Sequence, residues 1–171
     1  MSKAFTRESD DSRDTQPAVR PTAPLPPGAR NYITPDGAAR LKVEFDRLVD
    51  NDRPELNRAP EDDHDAKQRL QLVVRRIHHL EQVLRSAVVS YPPQDDRNRV
   101  RFGATVTIRT PQGEEEDYRI VGVDETDIDR GWISWLSPLA KALINTQVGQ
   151  RVQFRFPSGQ AVLEILRIHY E

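Results

Sequence analysis

The sequence predicts an α+β protein in which an antiparallel hairpin of two helices, packed as a coiled coil, precedes an antiparallel sheet with one short helix. Three observations support this fold class. Two segments carry apolar residues at alternating spacings of three and four, the pattern of a coiled-coil seam. A short proline-containing stretch separates these segments and allows the chain to reverse. Beyond residue 100 the pattern changes to short alternating runs, which indicate strands.

The first helix is predicted to begin at Thr34. Threonine is a good N-cap, and Pro35 suits the first helical position. The apolar series that follows consists of Ala38, Leu41, Phe45 and Leu48, and the same spacing continues to the polar residues Asp52 and Glu55. This periodicity predicts an amphipathic helix that becomes polar towards its far end.

The second helix is predicted from an apolar series that matches the first. Its members are Leu70, Val73, Ile77, Leu80, Leu84 and Ala87. Because Pro60 cannot occupy a helix interior, we expect the reversal between Arg58 and Asp63. Each arm should then hold roughly 25 residues and be about 37 Å long.

Composition along the chain predicts four parts. Residues 1–30 contain five prolines and few large apolar side chains, so we expect a disordered tail. The helical hairpin is assigned to residues 31–91 and a polar linker to 92–99. Residues 100–171 form the sheet domain.

The sheet domain is predicted from five short segments separated by turns. The segments are GATVTIRT, DYRIVGV, GWISWL, QRVQFRF and AVLEILRIHY. Pro111-Gln112-Gly113 and Pro157-Ser158-Gly159 are typical of turns. One short helix is expected from Ser137, as N-cap, and Pro138 to about Ile144.

The overall composition excludes several classes of site. The 171 residues include no cysteine, so disulfides, thiolate metal sites and a cysteine nucleophile are excluded. A net charge of −2 argues against nucleic acid as the main electrostatic partner. No apolar run reaches the roughly 18 residues that a membrane span needs, and the N-terminus lacks a signal-like apolar segment. We therefore expect a cytoplasmic protein with no membrane partner.

Four acids crowd the predicted reversal of the hairpin: Glu61, Asp62, Asp63 and Asp65. Carboxylates in such numbers could bind a divalent cation, but the stretch matches no calcium-loop template. Acids are also favoured at the N-terminus of a helix by its dipole, which makes a solvated turn the simpler interpretation. The residues alone favour the solvated turn and leave the chemical role open.

Other residues capable of chemistry show no catalytic arrangement. The four histidines, His64, His78, His79 and His169, have no metal-ligand spacing, and solvated or packing roles are expected for them. Trp132 and Trp135 are expected in the core or at an interface. The chain shows neither a glycine-rich phosphate loop nor a recognisable catalytic triad.

Several longer segments resemble a known family. On the helices they are NYITPDGAARLKVEFDRL, DRPEL and KQRLQLVVRRIHHL, and in the sheet domain FGATVTI, YRIVGVDE, ISWLSPLAKALI and ILRIHYE. Through them, residues 31–171 resemble the bacterial GreA/GreB family of transcript cleavage factors. MSKAFTRESD and LPPGARNYIT resemble its GreB branch.

The resemblance implies a fold and a partner. The C-terminal domain would be FKBP-like and dock on bacterial RNA polymerase at the rim of the secondary channel, while the coiled coil enters the channel. Two tip acids of the family help hold the second Mg²⁺ of the polymerase, so the factor is not itself an enzyme. It implies polymerase-docking positions at Asp124, Glu125, Ser137, Pro138, Leu139 and Ala140. We expect a monomer with no cofactor of its own, which meets nucleic acid only through the elongation complex.

The chain departs from the family pattern at the tip of the hairpin. The motif Arg53-Pro54-Glu55 is present, but the Gly-Asp-x-x-Glu-Asn tip is absent. The connection is about a dozen residues shorter than the usual pattern, which shortens each arm by about 9 Å. We therefore expect reduced or no cleavage stimulation. An active cleavage factor that uses the acids at 61–65, and a prolyl isomerase or chaperone-like module, are the alternatives.

Overall fold

The structure is a computed structural model that describes residues 25–156 and 159–171. The disordered tail predicted for residues 1–30 lies mostly outside this range. So do Pro157 and Ser158 of the turn predicted before Gly159.

Two helical arms form the N-terminal part. The first arm consists of α1 (Pro35–Arg47), a π-helical turn (Leu48–Asp52) and α2 (Arg53–Asn57). The second arm is α3 (His64–Ser86), which packs against α1 and α2. Thr34 is the N-cap of α1, and its hydroxyl accepts a hydrogen bond from the backbone N–H of Gly37. The predicted reversal between the arms is confirmed.

The apolar seam between the arms is confirmed near the base of the hairpin. Its buried members are Ile33, Leu41, Leu48, Ile77, Leu80 and Val83, and the partly buried Ala38, Phe45, Val49, Val73, Leu84 and Ala87 pack around them. Leu80, at 0% exposure, lies at the centre. Burial of one such side chain stabilises the fold by about 1.5 to 3 kcal/mol, so this seam holds the arms together.

The π-helical turn corrects the predicted seam beyond Leu48. There the backbone N–H of Arg53 bonds to the carbonyl of Leu48, five residues back. Pro54 has no N–H, and its ring would clash with a carbonyl four residues earlier, so a widened turn lets the helix continue. The extra residue shifts the helical phase. As a result, Leu56 is half-buried, whereas the predicted seam position Glu55 is exposed.

A small parallel sheet closes the base of the hairpin, and the sequence did not predict it. Strand β1 (Asn31–Ile33) pairs in parallel with β2 (Ala87–Val89). Ala87 was predicted as the last seam residue of the second helix, but α3 ends at Ser86 and Ala87 begins the strand. Three-residue strands are too short to produce a readable alternation.

The C-terminal part is a five-stranded sheet curled around its own core. Its strands are β3 (Thr105–Arg109), β4 (Glu115–Val121), β5 (Trp132–Ser134), β6 (Arg151–Phe156) and β7 (Gly159–His169). Their order is β5-β4-β3-β7-β6. The α+β fold class is confirmed with one correction: β5 pairs in parallel with β4, so the sheet is mixed rather than purely antiparallel.

One short helix and one 3₁₀ turn complete this part. Helix α4 (Pro138–Leu143) begins as predicted, with the Ser137 hydroxyl accepting from the N–H of Ala140 at 3.1 Å. The 3₁₀ turn (Val123–Glu125) lies between β4 and β5 and faces β1. The buried core of the sheet domain consists of Val100, Ala104, Val106, Ile108, Ile120, Ala140, Leu143, Leu163, Ile165 and Tyr170.

Candidate functional site

The four acids of the predicted tip lie at the reversal between α2 and α3. Glu61, Asp62 and Asp65 are exposed. Asp63 is different, because it is the N-cap of α3 and its Oδ1 accepts a hydrogen bond from the N–H of Ala66 at 2.8 Å. One of the four carboxylates therefore has a local structural role, and three face solvent.

These acids do not form a metal site by themselves. Among the described residues, no group of three or more histidine, aspartate or glutamate side chains is arranged to hold a metal ion. Hard cations need several oxygen ligands in a fixed array. Within the described part of the chain, the tip acids do not meet this requirement among themselves.

The predicted docking positions on α4 do not all lie on the surface. Pro138 is exposed, and Ser137 and Leu139 are half-buried. Ala140 has 0% exposure and belongs to the core of the sheet domain. Helix α4 turns this position towards the sheet, and Ala140 stays a predicted docking position whose side chain belongs to the core.

The 3₁₀ turn carries the other two docking positions, and they too are largely covered. Glu125 is 4% exposed, and its carboxylate is bound within the protein. Glu125 stays a predicted docking position, and its side chain is buried. The Asp124 side chain is 16% exposed, with its Oδ1 2.8 Å from Nε2 of His79 on α3. His79 was expected only to be solvated or packed, and nothing in the sequence paired it with an acid 45 residues away.

The carboxylate of Glu125 joins the two parts of the molecule. Its Oε2 accepts from the backbone N–H groups of Thr34 and Gly122, each at 2.9 Å. Its Oε1 accepts from the hydroxyl of Thr34 and lies 3.8 Å from the guanidinium of Arg40. The first turn of α1 is therefore bound to the turn that follows β4. We call this contact between the hairpin and the sheet domain the joint.

Three arginine side chains surround the ring of Trp132 beside this joint. The guanidinium groups of Arg40, Arg119 and Arg130 lie 4.5, 5.1 and 5.3 Å from its ring centroid. Arg119 is nearly buried and pairs with Asp36 of α1 at 3.3 Å. Trp132 therefore has the interface role that the sequence predicted, although the arginines around it were not foreseen.

A cleft with a volume of about 410 Å³ lies on the sheet domain beside α4. Tyr118, Phe154 and Leu139 are among its lining residues. Burial raises the pKa of Tyr118 to about 12, helped by its hydrogen bond to Glu116. No such aromatic-lined pocket was recognisable in the sequence, because these side chains come from strands distant in the chain.

Comparison with known proteins decides the family. Residues 94–170 match the family described as "Transcription elongation factor, GreA/GreB, C-term". The transcription elongation factor GreB of Neisseria meningitidis serogroup B is 38% identical over 154 residues, covering 82% of this chain and 94% of that protein. This chain belongs to the GreA/GreB family of transcription elongation factors. As a member it is a transcription factor and not itself an enzyme.

Further relatives of the GreA/GreB family extend the match. The GreB of Xanthomonas axonopodis pv. citri is 37% identical over 172 residues, covering 93% of this chain and 98% of that protein. The crystal structure of the GreA factor homolog Gfh1 of Thermus thermophilus is 25% identical with a TM-score of 0.39, covering 82% and 99% of the two chains. In the part of the chain that the structure describes, no helix is long and apolar enough to cross a membrane.

Proposed function

We propose that this GreA/GreB family member binds bacterial RNA polymerase at the secondary channel and regulates elongation with reduced or no stimulation of transcript cleavage. It acts in the cytoplasm as a monomer, without a cofactor of its own, and meets nucleic acid only through the elongation complex. The observation that carries the proposal is the connection between the arms, which lacks the Gly-Asp-x-x-Glu-Asn tip of the family and runs only from Arg58 to Asp63.

Docking is assigned to the positions that the family resemblance implies. Ser137, Pro138, Leu139 and Ala140 lie at the start of α4, and Asp124 and Glu125 lie in the 3₁₀ turn. Pro138 is the most accessible of these positions. Ala140 and Glu125 are buried. The assignment rests on the family pattern and on the exposure of the first turn of α4.

The length of the hairpin supports the loss of cleavage stimulation. Helix α3 has 23 residues, which gives an arm about 34 Å long. An arm shortened by about six residues ends about 9 Å short of the position that a full-length tip reaches. A carboxylate must approach Mg²⁺ to about 2 Å to act as a ligand, so that gap is too wide for direct coordination.

The alignments also support a shortened chain. The 82% of this chain that aligns with the Neisseria GreB corresponds to about 140 of its 171 residues, whereas the alignment extends over 154. That relative therefore carries about fourteen positions without a counterpart here. The number agrees with the dozen residues that the connection between the helices lacks.

The decisive experiment compares three proteins on one stalled, backtracked elongation complex. The first is the natural protein. The second carries Glu61, Asp62 and Asp65→Ala together with Asp63→Asn, because asparagine preserves the N-cap of α3. The third carries a full-length family tip between Asn57 and Lys67. We expect cleavage near the factor-free level from the first two and strong Mg²⁺-dependent cleavage from the third.

The alternative is an active cleavage factor, and the exposure of Glu61, Asp62 and Asp65 favours testing it. If the sheet domain docks deeper on the polymerase, these carboxylates approach the metal. Strong cleavage by the natural protein that disappears in the neutralised variant would establish this alternative and overturn the proposal.

Docking is tested separately from cleavage. Pro138→Asp adds a charge to the surface, and the acid that it introduces is of a kind that the first turn of a helix favours. We expect weaker binding to core polymerase for this variant. Gln153→Asp, on the exposed side of β6, is the matched control and should bind like the natural protein. Equal binding by both variants would remove α4 from the docking surface.

The cleft beside α4 keeps the isomerase or chaperone-like alternative open to test. Its lining by Tyr118 and Phe154 is the observation in favour. A proline-containing peptide assay with the natural protein and Tyr118→Ala decides it. Isomerase activity that the substitution abolishes would give the domain a second function.

A further inference from the structure

The buried carboxylate of Glu125 is the feature that links the hairpin to the sheet domain most tightly. Its two oxygens accept hydrogen bonds from the N–H and hydroxyl of Thr34 and from the N–H of Gly122. An ionised carboxylate is costly to bury unless such donors satisfy it. The same hydrogen bonds, being charge-assisted, are stronger than those between neutral groups.

Two glycines make room for this carboxylate. A Cβ on Gly37 would lie 1.9 Å from Oε1 of Glu125, and a Cβ on Gly122 would lie 2.7 Å from Oε2 and 2.4 Å from the carbonyl oxygen of Tyr32. Neither glycine has a positive φ, so neither is required by the backbone conformation. The space that Glu125 occupies explains Gly37, and Glu125 together with the backbone of Tyr32 explains Gly122.

The residues that Glu125 joins belong to the elements that set the geometry of the molecule. Thr34 is the N-cap of α1, where the hairpin begins. Glu125 lies in the 3₁₀ turn that follows β4, next to Asp124 of the proposed docking surface. The N-terminus of α1 also carries the positive end of the helix dipole, which favours a carboxylate.

We propose that Glu125 is a positioning residue that fixes the direction in which the helical hairpin leaves the sheet domain. The hairpin acts as a lever. A rotation of about 10° at the base moves the end of an arm about 34 Å long by about 6 Å. For a protein that inserts this hairpin into a channel while docked through the sheet domain, such a displacement decides where the tip arrives. This consequence rests on the proposed function, whereas the geometric role does not.

Other contacts across the joint are more adaptable. The pair of His79 with Asp124 and the pair of Arg119 with Asp36 each involve one largely exposed side chain, His79 at 48% and Asp36 at 64%. Exposed side chains can follow a changed orientation or exchange a partner for water. The Glu125 carboxylate cannot, because its donors are backbone groups and a threonine that belong to fixed positions.

A set of combined substitutions tests whether the side chain at position 125 occupies the space beside Gly37. Gly37→Ala should lower the melting temperature when residue 125 is the natural glutamate or a glutamine. Either side chain keeps an oxygen or nitrogen atom where the added methyl group would lie. In the Glu125→Ala background the collision is gone. There Gly37→Ala should raise the melting temperature by a few degrees, since alanine favours a helix more than glycine does. An equal lowering in all three backgrounds would overturn the proposal.

A distance measurement tests the orientation in the protein alone. The chain contains no cysteine, so cysteines introduced at Asp62 and Gln153 can carry spin labels without interference. Both positions are exposed, one at the tip and one on β6. Double electron–electron resonance should give one narrow distance distribution for the otherwise natural protein.

The substitutions at the joint should change this distribution. Glu125→Ala should broaden or shift it, and Glu125→Gln, which keeps the shape and one acceptor oxygen, should largely restore it. Asp129→Ala, an exposed acid in the following loop, is the control and should leave it unchanged. An unaltered distribution in Glu125→Ala would refute the positioning role. Because no polymerase is present, that result stands apart from the proposed function, which fails only if the natural protein does not bind polymerase.

Discussion

The base and the tip of the hairpin are held by different kinds of contact. At the base, the seam buries Leu80 completely, strands β1 and β2 pair, and Glu125 binds the first turn of α1. At the tip, three of four acids face solvent, and the start of α3 depends on the cap that Asp63 supplies to Ala66. The base is therefore stabilised by tertiary contacts and the tip by a local one.

This difference indicates that the sequence of the tip can vary more freely than the sequence of the base. Substitutions at the base disturb contacts between distant parts of the chain, so they change the whole molecule. Substitutions at the tip change a surface and at most one turn of helix. A shortened tip, on which the proposed function depends, is thus compatible with an intact base.

The largest expected effect is at the seam. Leu80→Ala removes a fully buried side chain and should lower the free energy of unfolding by about 3 kcal/mol, because the cavity refills only in part. Chemical denaturation followed by circular dichroism measures it. Leu72→Ala on the same helix, where the side chain is 54% exposed, should cost less than about 0.5 kcal/mol. Equal costs would mean that the seam is misplaced.

The joint should be the next most sensitive place. Gly122→Ala puts a methyl group 2.4 Å from a backbone oxygen that cannot move away, so the free energy of unfolding should fall by about 2 kcal/mol. Thermal and urea unfolding would give the value. Asn57→Ala, at the exposed end of α2, is the control, because it changes a residue of the hairpin that is not buried. A Gly122→Ala protein as stable as this control would show that β1 is free to shift.

A smaller effect is expected at the tip. Asp63→Ala removes the N-cap of α3 and should lower the free energy of unfolding by about 1 kcal/mol. The backbone N–H of Ala66, which loses its acceptor, should also exchange faster with solvent. Asp62→Ala is the neighbouring control and should leave both quantities unchanged. If the two variants behave alike, the cap does not hold the start of the helix.

The smallest effect concerns an ion pair midway along the hairpin. Arg76 donates two hydrogen bonds of 2.8 Å to Glu44, and this pair lowers the pKa of the Glu44 carboxyl below its usual 4.5. A carboxyl whose pKa is lower in the folded state stabilises the fold above its unfolded-state pKa. That contribution is lost as the pH falls through the lower folded-state value.

Glu44→Gln should therefore be less stable than the natural protein at pH 7, by less than about 1 kcal/mol because both partners are partly exposed. The difference should shrink as the pH falls below 4.5 and through the folded-state pKa. Denaturation curves over that range, with Asp46→Asn as control, measure it. A difference that stays constant down to low pH would assign the effect to packing rather than charge.

The sequence predicted the features that repeat or that obey local rules. Thr34 and Ser137 were identified as N-caps because a hydroxyl before a proline-started helix is a local signal. Leu41, Ile77 and Leu80 were identified by periodicity. These predictions need only neighbouring residues, and the structure confirms them.

The joint could not be predicted in the same way. Glu125 and Thr34 lie 91 positions apart, and His79 and Asp124 lie 45 apart, so no local pattern connects them. Glu125 was assigned as a docking position because of the family resemblance, and its burial could not be predicted from neighbouring residues. Gly37 carried a signal, since it lies inside α1 where glycine is unfavourable, but only the position of the Glu125 carboxylate explains it.

The distance along the chain between Thr34 and Glu125 also has a consequence for synthesis. Chains are made at about 5 to 20 residues per second, so a separation of 91 residues corresponds to roughly 5 to 18 seconds. Most of that interval is the synthesis of the hairpin itself, because β2 ends at Val89 and only 36 residues separate it from Glu125, which corresponds to roughly 2 to 7 seconds. In that shorter time the arms can close along their seam, and their direction relative to the sheet domain can be fixed only after the turn that carries Glu125 has left the ribosome.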